Sequence, residues 1–144
     1  MASTSNDGFS AEERAAMKER AKELRSSEKG AARAAQDAAD VLEKIAELAD
    51  GDRQLAERVH AIVLEAAPSL APKTWYGMPA YAKDGKIVCF FQGSSKFKSR
   101  YSTLGFNDPA QLDDGGMWPT AYAITTISDG DAKRIAELVR KAVA

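Results

Sequence analysis

Apolar residues recur along the chain with two different periods, and the change of period divides it. Val41, Leu42, Ile45 and Leu48 give one apolar face to a helix from Asp37 to Ala49, which Asp50-Gly51 ends. Leu55, Val59, Ile62, Val63 and Ala66 fall at i, i+4, i+7, i+8 and i+11. That stripe predicts a helix capped by Asp52 and running to about Ala67, where Pro68 stops it. Upstream, SAEE reads as a capping box with Ser10 at the N-cap, Glu13 at N3 and Phe9 placed to staple onto the first turn. It opens a helix to about Arg25 with a thin stripe of Met17, Leu24 and alanines. Ser26, Ser27 and Gly30 predict a break, and residues 1–8, small and polar, read as disordered.

Beyond Pro68 the helical period is lost. KDGK, Lys83 to Lys86, predicts a two-residue hairpin, because Asp-Gly tolerates the positive φ angles of a type I′ turn. It joins a strand around Ala80–Lys83 to one at Lys86–Gln92. IVCFF is apolar without alternation, which predicts a central strand covered on both faces, the second by the N-terminal helices. Phe97 to Leu104 alternates like a half-exposed strand, Asn107-Asp108-Pro109 starts a turn, and Trp118 to Ile127 reads as another strand. Ser128 caps a last helix with Ile135, Leu138, Val139 and Ala142 on its core face. Short links between strands imply an antiparallel sheet. The expected fold is α+β: a two-layer sandwich of about four or five antiparallel strands with helices packed on it. Its domain covers residues 52–144, preceded by an N-terminal helical extension over residues 9–50.

Composition changes this picture little. The chain has 144 residues, 44% hydrophobic and 28% charged, with a net charge of −1, which suits one soluble domain and no electrostatic nucleic-acid binder as a whole. A single cysteine, Cys89, and no secretory pattern fit a reducing cytoplasm, and no apolar run is long enough for a membrane span. Distribution matters more. Ten of the eleven aromatics lie between Trp75 and Tyr122. Lys73 to Arg100 holds six bases and one acid, whereas Asp37 to Asp50 holds five acids and one base.

No catalytic set is legible. The one histidine, His60, sits at the edge of a helical apolar stripe, and Cys89 is embedded among Ile87, Val88, Phe90 and Phe91. No CxxC, HExxH, Walker or GxGxxG pattern occurs. Three constellations remain. Asp40, Glu43, Glu47 and Asp50 share one helix face, where oxygen ligands one turn apart would hold a hard cation; a solvated outer face has the same pattern. Lys96, Lys98 and Arg100 alternate with Phe97, Ser99 and Tyr101, so on a strand all three cations share a face and, with Lys73, would bind an anion. The aromatics then point the other way, which argues against nucleic acid. In TWYGMPAY, Gly77 and Pro79 shape the way into the sheet, while Trp75, Tyr76 and Met78, with Trp118, are core or the wall of a ligand pocket.

WYGMPAY, then DGKIVCFFQ, KFKSRYSTLGF, WPTAYAI and a closing RIAELVRKAV resemble the YdhG-like family of bacterial domains over roughly residues 52 to 143. Tyr76, Gly77, Met78 and Pro79 match its most specific motif, and residues 1 to about 50 look like an extension seen in actinobacterial relatives. The resemblance implies a frataxin-like α+β sandwich and, by one member's assignment, an iron-chaperone role. Iron would then be the metal ion bound. The expectation for this chain is a small non-enzymatic cytoplasmic protein, monomer or homodimer, that binds a small ligand, a metal ion or a protein partner.

Overall fold

The computed structural model describes residues 10–144, so the expectations for Phe9 and the first eight residues lie outside the described part. By its contacts the chain divides into a first unit that ends at Ala35 and a second, Gln36–Ala144. Helix α1 (Ala11–Ala46) is continuous, which corrects the expected break at Ser26–Gly30. Ser10 Oγ accepts from the Glu13 N–H at 3.1 Å and so caps it. Ser and Gly inside a helix cost at most about 1 kcal/mol each relative to Ala. The alanine-rich stretch that follows supplies enough propensity to carry the helix through. Within the first unit Met17 and Leu24 are both exposed.

The second unit is an α+β sandwich. Helix α2 (Asp50–Ala66) begins three residues earlier than expected, with Ala49 rather than Asp52 at its N-cap. Asp52 is therefore not the cap but part of the first turn, and it is buried. Five strands follow: β1 (Ala71–Trp75), β2 (Met78–Lys83), β3 (Lys86–Gln92), β4 (Ser102–Phe106) and β5 (Ala121–Ile124). They lie in sequence order in one antiparallel sheet, and α3 (Asp129–Val143) closes the chain. Ser128 and Asp131 form the capping box of α3, with Ser128 Oγ accepting from the Asp131 N–H and Asp131 from the Ser128 N–H.

Three expectations about the sheet are corrected. The segment Phe97 to Leu104 is not one strand: a 3-10 turn at Ser95–Phe97 and a loop precede β4. The long strand from Trp118 to Ile127 shrinks to four residues. TWYGMPAY lies inside the sheet rather than before it. Its Thr74-Trp75 ends β1, an edge strand that accommodates Pro72, and its Met78 starts β2. Tyr76 and Gly77, at φ +50° and +75°, form a two-residue turn flanked by the Trp75–Met78 pair. Asp84 and Gly85, at φ +52° and +80°, make the same turn at the other end, as DG predicts.

One sheet face carries the core. Tyr81, Cys89, Phe91, Leu104 and Phe106 pack with Val59 and Val63 of α2 and with Ile135, Val139 and Ala142 of α3. Val41 and Ile45 join the same core, so this stretch of α1 does not form a separate layer for the second face. On that second face Ala121 and Ala123 are exposed and Trp75 and Phe90 are half-buried. The IVCFF strand is central, as expected, but Phe90 is covered only in part.

Candidate functional site

The turn Tyr76-Gly77 and the β3–β4 connection emerge at the same end of the sheet. The connection is tied down from below by Asp52, which is 5% exposed. Its carboxylate accepts from Ser94 Oγ at 2.7 Å, from the Ser95 N–H at 2.9 Å and from Ser102 Oγ at 3.2 Å. Ser102 Oγ in turn accepts from the Ser94 N–H at 3.1 Å. Burial pushes the Asp52 pKa up, but the hydrogen bonds from Ser95, Ser94 and Ser102 outweigh it and hold the group below the usual 3.8. Gly93 passes so close that a Cβ there would sit 3.1 Å from Asp52 Oδ2. An ionised, fully partnered carboxylate thus fixes both ends of the loop to the start of α2.

What the loop displays is basic and aromatic. The 3-10 turn ends at Lys98, which takes the left-handed conformation at φ +52°. The Lys98 N–H then donates to the Ser95 carbonyl, and the Ser99 N–H to that of Ser94. Lys96, Lys98 and Arg100 are exposed. Lys96 Nζ lies 5.8 Å from the centre of the Phe97 ring, and the Arg100 guanidinium 5.3 Å from that of Tyr101. Lys96 Nζ also rests against Gly77, 2.9 Å from where a Cβ would be. Together with Lys44, Glu47 and Leu48 they border a cleft of about 350 Å³. Among the described residues none of the three cations is in an ion pair. Cations and aromatics therefore share one surface here, opposite to the strand expectation that separated them.

The other candidates are dispersed. Lys73 lies on β1, two residues from Trp75, and Met78 and Pro79 are buried in β2. Trp75 packs against Phe90 at 5.1 Å between ring centres and Tyr76 meets it edge-on at 4.9 Å. Trp118 borders a cleft with Phe106, Leu112 and Thr120, and Trp75 is not among the walls of that cleft. The acidic stripe is broken: α1 ends at Ala46, which takes Glu47 and Asp50 off the helix face of Asp40 and Glu43. Asp40 accepts from Gln36, Glu47 pairs with Lys44 and Asp50 with Arg53. Among the described residues no three His, Cys, Asp or Glu side chains gather as metal ligands would.

His60 and Cys89 both belong to the core side. Tyr81 Oη lies 2.8 Å from His60 Nδ1. Burial lowers the histidine's pKa, while burial and the nearby Cys89 raise that of the phenol, so a neutral imidazole accepts from the hydroxyl. Burial pushes the Cys89 thiol up to about 12, far from a nucleophilic thiolate at neutral pH.

The residue that sequence reasoning misplaced is Asp52, and a signal was present. It continues the buried spacing of Ala56, Val59 and Val63 by one more turn, which puts an acid on the core face of α2. Ser94 and Ser102, its partners, carry no comparable signal. Compared with protein-family models, curated proteins and solved structures, the chain matches none.

Proposed function

We propose that the chain is a non-enzymatic binding module of YdhG-like type whose site is the basic and aromatic end of the sheet, and that its ligand is a polyanion. The observation that carries this is the loop itself. Lys96, Lys98 and Arg100 stand exposed without acidic partners among the described residues, on a segment that a buried carboxylate holds in place. A cation on such an anchored loop loses less conformational freedom on binding than one on a free loop. Neither His60 nor Cys89 is presented for chemistry, which supports binding rather than catalysis. The iron reading finds less support, because Asp40, Glu47 and Asp50 are each engaged with a neighbour instead of converging.

Calorimetric titration with inorganic polyphosphate tests the proposal. The wild-type chain binds at about 50 mM salt and weakens steeply as salt rises. A Lys96→Gln/Lys98→Gln/Arg100→Gln variant loses about tenfold or more in affinity, whereas Lys83→Gln/Lys86→Gln, at the other end of the sheet, binds as wild type. Equal binding by the loop variant and the wild type sinks the proposal, as does absence of wild-type binding at low salt.

A further inference from the structure

The sheet face opposite the core continues the basic end and narrows the choice of polyanion. Strand register sets Lys73, Ala80, Phe90, Gly105 and Ala121 side by side in one row across all five strands. Between Lys73 and the sheet's far edge the row holds only Ala and Gly apart from Phe90. The far end of its ring occupies the space above Gly105, where a Cβ would collide with it. Trp75 leans on Phe90 with its ring tilted by 49°, and Tyr76 stands at 73° to Trp75, 80% exposed at the turn. The three rings form a tilted and edge-on cluster that ends at the same turn against which Lys96 Nζ rests. The Tyr76 phenol is held largely in water at a left-handed turn position, where a small residue fits better, and its one ring contact is the edge-on one to Trp75.

From this juxtaposition we infer that the ligand is a single-stranded nucleic acid. Its phosphates lie along Lys96, Lys98 and Arg100, and its unstacked bases continue the series Phe90, Trp75, Tyr76. The inference rests on the polyanion reading above and adds the bases to it. Planar bases would find exposed aromatic rings to pack on, and phosphates complement the cations beside them, which make no ion pair among the described residues. A duplex keeps its bases stacked on one another and offers the rings nothing, so the site selects single strands. The stretch from Lys86 to Phe106 carries no acid, and of the two acids bordering the cleft beside Lys96, Glu47 is paired with Lys44 and Asp52 is held by Ser94, Ser95 and Ser102.

The test compares three ligands: a labelled oligothymidylate of about 12 nucleotides, the same strand annealed to its complement, and inorganic polyphosphate of equal charge. Tyr76→Asn is the informative variant, because Asn-Gly is the preferred pair for this turn and the substitution removes only the ring. Fluorescence anisotropy is expected to show the single strand binding about tenfold or more tighter than polyphosphate or duplex. Tyr76→Asn should weaken the single strand about tenfold and leave polyphosphate unchanged, whereas Lys96→Gln/Lys98→Gln weakens both. A single strand that binds no tighter than polyphosphate or duplex overturns the inference, with the polyanion reading intact. So does a Tyr76→Asn variant that binds the single strand as wild type. If polyphosphate and oligonucleotide both fail to bind the wild type at about 50 mM salt, the polyanion reading itself falls.

Discussion

At one end of the sheet Tyr76-Gly77 joins β1 to β2; at the other Asp84-Gly85 joins β2 to β3. Both are two-residue turns with positive φ at each position. Around Gly85 there is open space, and its flanking residues, Lys83 and Lys86, are exposed. Around Gly77 the space is taken by Lys96 Nζ, and behind it Asp52 holds the β3–β4 loop. The same local solution therefore serves two purposes. Asp84-Gly85 only reverses the chain. Tyr76-Gly77 reverses it and also gives a second segment a place to rest, which is what lets cations and aromatics from distant positions share a surface.

The largest test of that difference is removal of the anchor. Asp52→Ala strands the Ser95 N–H and the Ser94 and Ser102 hydroxyls under the loop, at an expected cost of about 3 kcal/mol. Chemical denaturation measures it, and a loss under about 1 kcal/mol would mean that water replaces the carboxylate without penalty. The hydrogen bonds also fix a pH dependence. Asp52 has a lowered pKa in the folded chain, so its contribution is complete above the ordinary value of 3.8 and is lost as pH falls through the lower, folded value. The wild type should lose stability on acidification in that range, and Asp52→Asn should lack this component. Variants at Asp84 or Gly85 leave Asp52 and its partners in place and should keep it.

The two ends were not equally legible in the sequence. DG between lysines announces its turn, because Asp and Gly both tolerate positive φ. YG does not: tyrosine is an unusual residue for a left-handed position, and Pro72 and Pro79 on either side mask β1 and the start of β2. The apolar stripes of α2 and α3 follow from period, and the central strand from its unbroken apolar run; on α1 only Val41 and Ile45 of the expected face are buried, while Leu42 is exposed and Leu48 lies beyond the helix end. The break expected in α1 failed because Ser and Gly penalties are small against an alanine-rich context. The cations at positions 96, 98 and 100 were recognised, but their arrangement was not. Alternation suggested a strand, whereas the buried Asp52 draws Ser94 and Ser95 into a 3-10 turn through contacts more than forty residues away in sequence. Tertiary hydrogen bonds of that span leave no local pattern.

A middle-sized test exchanges glycine at both turns. Gly77→Ala and Gly85→Ala each force a side chain into the left-handed region, at about 1–2 kcal/mol. Thermal unfolding should find the two losses similar, because the backbone demand is the same. Polyphosphate binding should separate them: the new methyl at Gly77 meets Lys96 Nζ and displaces it, while that at Gly85 meets nothing. Equal binding by the two variants would show that Lys96 does not need Gly77 to be in place.

The smallest effects are expected from single lysines, and they sharpen the comparison because stability drops out of it. Lys83 Nζ donates to the Val143 carbonyl at 2.9 Å near the Asp84-Gly85 end, on an exposed surface. Lys96 makes no ion pair among the described residues. Lys83→Gln and Lys96→Gln should each change stability by no more than about 0.5 kcal/mol. Only Lys96→Gln should lower polyanion affinity, and it should also reduce the steepness of the salt dependence by somewhat less than one phosphate's share. A matching loss with Lys83→Gln would spread the binding surface over both ends of the sheet and remove the special standing of the Tyr76-Gly77 turn.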